Sequence, residues 1–174
     1  MSEKPEYMTQ LSSDVLVFKD DARIRLRGTL DVLMAELLKT QVRVLALGCQ
    51  KLLVDLEDVA RFIGGLSRAE VLDEPFEVTR VAGFDYEEIR TLSHDPNASF
   101  GRGHLFELSY REGELTVLLN ALRAFSRCCE LAFYEAFKTA DGTTGRPDLM
   151  EGYNRLSSLF YLLCLRASTG YYDL

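Results

Sequence analysis

The sequence predicts an all-α protein folded as a single domain, a bundle of four or five helices. Apolar residues recur at spacings of three and four along four long stretches, the period of one buried helix face. No stretch alternates as a half-buried strand would, and the breaks fall at glycine, proline and aspartate. With 174 residues, 47% hydrophobic and 27% charged, the chain can bury one core without metals or disulfides.

Residues 1–22 are polar and read as irregular. From Leu26 onward, Leu30, Leu33, Met34, Leu37, Leu38 and Val42 predict a first helix that ends near Gly48. Leu52, Leu56, Val59, Ile63 and Leu66 predict a second, stopped by Pro75, because proline disfavours helix in the residue before it. The Gly64-Gly65 pair within it marks a bend or a close neighbour. Asp85 with Glu88 has capping-box spacing and starts a short helix to about Leu92, closed by His94-Asp95-Pro96-Asn97. Residues 97–113 hold Gly101, Gly103 and Gly113 among Phe100, Leu105, Phe106 and Tyr110, a loop too apolar to be a mere connector. The strongest helix follows, with Leu115, Leu118, Leu119, Leu122, Phe125, Cys129, Ala132, Phe133 and Ala136 on one face. After a turn at 141–145, Pro147 suits the first position of a last helix carrying Leu149, Tyr153, Leu156, Phe160, Leu163 and Ala167. Short connections between such helices give a bundle.

A net charge of −7 argues against a general nucleic-acid or anionic-membrane surface. The first residues lack the apolar core of a signal peptide, and no run approaches the ~20 apolar residues of a membrane span, so a cytoplasmic protein is expected. Cys49, Cys128, Cys129 and Cys164 are scattered and read as reduced, buried thiols. The two histidines cannot supply the paired ligands of a di-iron bundle, and His94 and His104 read as loop hydrogen-bonders. Neither a phosphate-cradling glycine loop with Lys-Ser/Thr nor a nucleophile elbow occurs.

Several residues break the apolar pattern. Asp31 shares a helix face with Met34, Ala35 and Leu38, where an unpaired carboxylate costs several kcal/mol by order of magnitude, roughly the desolvation penalty of a buried charge. Arg123, Arg127, Glu130 and Tyr134 share one face of the long helix, and Arg127 is a cation that could meet Asp31; a solvated face with local pairing accounts for the same spacing. Asn154, Ser158 and Tyr161 form a polar line on the last helix beside Arg155, and mid-helix Asn is intrinsically unfavourable. Lys19, Arg23, Arg25 and Arg27 concentrate positive charge at the start of the first helix, as suits a triphosphate or a solubilising cluster.

These residues fall in segments that resemble one family, the ATP:corrinoid adenosyltransferases. The stretch 17–31 resembles its phosphate-binding lysine followed by a helix opening Gly-x-x-Asp, here Lys19 and Gly28-Thr29-Leu30-Asp31. The stretch 122–130, with Arg123, Arg127 and Glu130, is similar to its arginine-rich helix, and Asn154-Arg155-Leu156-Ser157 to its Asn-Arg-Leu-Ser signature. The ethanolamine-utilisation branch is nearer still, through 68–75, Leu92-Ser93-His94 and Arg146-Pro147-Asp148.

The resemblance implies that Lys19 contacts the triphosphate of ATP, that Asp31 and Arg127 form an ion pair at the nucleotide site, and that Asn154 hydrogen-bonds the nucleotide while Glu130 orients its neighbours. Thr9, in the segment 1–18 that corresponds to the family's nucleotide loop, and Arg123 and Arg155 join the binding set. It also implies a homotrimer with sites between subunits, ATP, Mg²⁺ and cobalamin at the site, a cobalamin reductase as a partner, and association with an ethanolamine microcompartment as an open point. The implied reaction moves the 5′-deoxyadenosyl group of ATP to Co(I) and releases triphosphate. An apolar side chain displaces the lower axial ligand; Phe106 is the candidate, with Phe100 and Tyr110 as competitors. Three departures stand out: the glycine-rich loop is reduced to Thr9-Gln10-Leu11-Ser12-Ser13, Leu131 replaces a second arginine, and the His and Cys cluster of the ethanolamine branch is absent, so no transition-metal site is expected. The reduced loop favours the alternative of a non-catalytic corrinoid carrier.

Overall fold

The computed structural model describes residues 4–78, 80–105 and 107–173. Four long helices form the bundle: α1 (Ala22–Ala46), α2 (Gln50–Leu72), α5 (Glu114–Phe137) and α6 (Pro147–Ser168). Two short ones, α3 (Tyr86–His94) and α4 (Pro96–Phe100), lie between α2 and α5. α1 packs on α2 and α5, and α6 packs on α5, α2 and α3, so the α1–α2 edge lies opposite the α5–α6 edge. Leu26, Leu33, Leu37, Leu56, Leu66, Leu119, Phe133, Tyr153 and Phe160 fill the space between them. Each such side chain stabilises the fold by about 1.5–3 kcal/mol relative to exposure.

The helix ends follow local chemistry. Asp21 caps α1 by accepting from the Arg23 amide, which starts the helix at Ala22 rather than at Leu26, where the apolar pattern begins. The expected capping box is present: the Asp85 carboxylate accepts from the Glu88 amide and Glu88 accepts from the Asp85 amide, both at 2.8 Å. Pro147 occupies the first turn of α6, where its missing N–H is not needed. The Gly64-Gly65 pair marks a close neighbour: a Cβ on Gly65 would lie 3.1 Å from the Phe76 ring. Gly152 of α6 is tighter, since a Cβ there would lie 2.7 Å from a methyl of buried Leu66 and 3.1 Å from Phe76.

Two regions differ from the sequence reading. The segment expected to be irregular holds an antiparallel hairpin, β1 (Met8–Ser12) and β2 (Val15–Phe18), pairing Met8 with Phe18 and Thr9 with Val17. Neither strand has a buried residue, so no buried face imposes the alternation by which a strand is read. Within the expected loop, Asp95 caps α4 by accepting from the Ala98 amide, and Tyr110–Glu112 make a single 3-10 turn capped by Ser109. Phe106 lies outside the described residues.

Candidate functional site

The cationic cluster at the start of α1 is built around one carboxylate. Glu70 of α2 has no solvent exposure; its Oε1 accepts from Arg23 Nε at 2.6 Å and its Oε2 from Arg27 Nε at 2.9 Å. Arg27 also donates to the Leu11 carbonyl at 2.8 Å and so ties the hairpin to the bundle. Arg25 pairs with Glu135. Neither reading of the cluster, as a triphosphate site or a solubilising group, foresaw this pairing: the arginines are engaged by carboxylates, and Lys19 alone of the set has no side-chain partner among the described residues. Lys19 is exposed and lines a shallow pocket with Tyr7, Phe18 and Asp20, while Thr9 sits half-buried on β1.

On the α5–α6 edge a second charged group surrounds a cavity of about 580 Å³. Arg127 and Glu130 of α5, Asn154 and Arg155 of α6, and Arg90 and His94 of α3 line it. Asn154 donates its amide to Glu130 at 2.8 Å and accepts from Arg155 at 2.8 Å, and Arg155 pairs with Glu151. The mid-helix Asn, intrinsically unfavourable in a helix, is thus engaged at both ends of its amide by side chains. Arg123 points instead into an adjoining cavity of about 310 Å³, with Leu105 and Leu108 of the 101–109 segment and Tyr161 and Cys164 of α6. There the Tyr161 hydroxyl accepts from the Leu105 amide and meets His104 Nδ1 at 3.1 Å. Tyr134, further along the same helix, lines neither cavity and donates its hydroxyl to the Gly142 carbonyl.

Asp31 does not meet Arg127 within the chain. It lines a third cavity, of about 510 Å³ between α1 and α2, with Met34, Gly64, Arg68 and Leu72. The burial expected for Asp31 is also corrected: it is exposed, as are Ala35, Leu38, Val42 and Leu45 on successive turns of α1. The helical period locates a face but does not say that something covers it. The thiols divide as well: all four are free, yet Cys128 is exposed. Burial pushes Cys129 and Cys164 up to about 12, which leaves both as neutral thiols rather than nucleophiles.

A family model described as cobalamin adenosyltransferase matches residues 1–167. The chain belongs to this family. It is 33% identical over 163 residues to the corrinoid adenosyltransferase EutT of Salmonella typhimurium strain LT2, a match that covers 93% of this chain and 59% of the relative. The corrinoid adenosyltransferase EutT of Escherichia coli strain K12 is 32% identical over 170 residues, covering 97% of this chain and 61% of its own length. The chain thus spans about three-fifths of the curated relatives it matches. No solved structure matches it.

Of the residues singled out by family motifs, the fold gathers Arg127, Glu130, Asn154 and Arg155 around one cavity, sets Asp31 on the opposite, α1–α2 edge, and leaves Thr9 and Lys19 on the N-terminal hairpin segment. Glu70, Arg90 and His94 were not expected at a site. Glu70 lies in the 68–75 segment that marks the ethanolamine branch, but only the fold shows that it clamps two arginines. Arg90 and His94 are spaced i, i+4 on α3 and so share a face, a signal the capping box made readable. His94 is correspondingly the last residue of a helix rather than a loop hydrogen-bonder. Among the described residues no helix is long and apolar enough to cross a membrane.

Proposed function

We propose that this chain is an ATP:corrinoid adenosyltransferase that works as a homotrimer, with each site shared between two copies. The observation that carries the reading is the separation of complementary charges. Asp31 lies on the α1–α2 edge, and Arg127, beside the bonded Glu130–Asn154 pair, lies on the opposite edge. Neither Asp31 nor Arg127 has a partner among the described residues, and Leu38, Val42 and Leu45 leave the α1 edge apolar and exposed. Packing that edge against α5–α6 of a second copy satisfies the charges and covers the apolar face together.

In such a site Arg127 and Asp31 hold each other across the interface, Asn154 donates to or accepts from the nucleotide, and Lys19 faces the triphosphate. The corrinoid is a substrate: Co(I) gives its electron pair to the ribose C5′ of ATP, the C5′–O bond breaks toward the triphosphate, and cobalt ends as alkyl-Co(III). The chain's work is to position the two substrates and to stabilise charge on the leaving triphosphate. Mg²⁺ holds its waters tightly and binds ATP mainly through phosphate oxygens, so it enters with the nucleotide.

The test is direct. Protein, MgATP and chemically reduced cobalamin are mixed without oxygen, and the visible spectrum is followed for the light-sensitive alkylated product. Arg127→Asp is expected to lower kcat/KM at least about a hundredfold, the effect of unpairing one half of an interfacial charge pair, and Asp31→Arg combined with it to restore part of the loss and the oligomer. Nucleotide binding with no Co–C bond formed would replace this reading with the corrinoid carrier.

A further inference from the structure

We propose that the cavity between α3, α5 and α6 is an oligophosphate site, and that Arg90 and His94 are binding residues which α3 contributes to it. The ligand class rests on the adenosyltransferase reading; the cationic site itself rests on geometry.

Arginines elsewhere in the described residues are spent on carboxylates, apart from Arg111, which lies over the Tyr110 ring, and Arg123, which donates to Asn120. Arg90 and Arg127 are the exceptions with no hydrogen bond, ion pair or ring contact among the described residues, and they line the same cavity. Arg127 is the group that the shared interface pairs with Asp31 of a second copy, which leaves Arg90 as the guanidinium that neither the chain nor that interface satisfies; in a chain of net charge −7 solubility does not explain it, because acidic partners abound. The third arginine there, Arg155, has a buried Nε with no acceptor. A buried donor left unpaired is costly and is normally satisfied by something bound.

One carboxylate, Glu130, lines the cavity against three arginines and so offsets only part of their charge; it forms no ion pair with any of them and accepts from the Asn154 amide, while Glu151 pairs with Arg155. His94 offers a ring N–H in either tautomer, and Ser158 offers a hydroxyl. The donors come from three helices, so they surround a ligand rather than lie along one face. The lining is polar throughout, which disfavours an adenine or corrin ring; the apolar leucines are in the adjoining cavity with Arg123. Guanidinium forks around a polar volume of about 580 Å³ match an anion with several oxygens, the chemistry of a triphosphate chain.

Inorganic triphosphate is titrated into the purified protein by calorimetry at low ionic strength, for the parental chain, Arg90→Gln, the Arg90→Gln/His94→Gln double variant, and Arg111→Gln as a control outside both cavities. The parental chain and the control are expected to bind alike, Arg90→Gln about tenfold more weakly, and the double variant more weakly still. In the transfer assay Arg90→Gln is expected to raise KM for ATP with a smaller change in kcat. Equal triphosphate affinity in the parental chain and the double variant, or no binding to the parental chain, would overturn the proposal. Arg90-dependent triphosphate binding in a chain that forms no alkylcobalamin upholds the site and rejects the adenosyltransferase reading; alkylcobalamin formed with Arg90-independent binding does the reverse.

Discussion

At the start of α1, Arg23 and Arg27 converge on a carboxylate with no solvent exposure, whereas on the opposite edge Arg90 and Arg127 face a cavity with no acceptor assigned to either. Both groups are arginines spaced three or four residues apart on a helix or brought together from two helices, and composition does not separate them. The difference is in what meets them. Glu70 makes the first group part of the framework and, through Arg27 and the Leu11 carbonyl, fixes the hairpin that carries Thr9 and Lys19. The second group is left unfinished by the chain, and an incomplete set of charges is what a ligand or a second copy can complete.

The sharpest way to break this contrast is at Glu70. Glu70→Ala leaves two guanidinium groups against a void and is expected to lower stability by about 3–5 kcal/mol, read from urea unfolding. A loss under about 1 kcal/mol, the scale of a surface pair, would mean that the clamp is not structural. Next in size is the close approach of α6 to α2: Gly152→Ala forces Leu66 or Phe76 to move and is expected to cost about 1–3 kcal/mol, with Gly65→Ala milder because its nearest contact is less severe.

Arg146 gives a pH test of the framework side. It pairs with Asp148, whose carboxyl also accepts from the Phe76 amide, and these bonds hold Asp148 down to about 2. A depressed carboxylate contributes stability above the ordinary unfolded value near ~3.9, and that contribution fades as pH falls from there toward about 2. After solvent screening the effect is on the order of 1 kcal/mol, so the stability gap between the parental chain and Asp148→Asn should narrow between neutral pH and pH 3. A gap that stays constant over that range would remove the assignment. Smallest of all, Arg90→Gln and Arg127→Gln should change unfolding by no more than about 0.5 kcal/mol, while both weaken activity. If either destabilises the chain as Glu70→Ala does, the two regions are not different in kind.

The four long helices, the capping box at Asp85, the proline at the start of α6 and the glycine pair were legible in the sequence, because each signal lies within a few turns of one segment, whereas the short α4 was read as turn and loop. The hairpin was not, since strands without a buried face leave no periodic trace. Family motifs named Arg127, Glu130, Asn154 and Arg155, which line one cavity, and also singled out Asp31 and Lys19. Only the tertiary structure decided that Asp31 lies on the edge opposite Arg127, and that Glu70 rather than a ligand satisfies Arg23 and Arg27. The physical reason is range. Caps and periodicity are set within a few residues, whereas the partner of a charge is set by which helices pack side by side, over separations such as the 47 residues between Arg23 and Glu70.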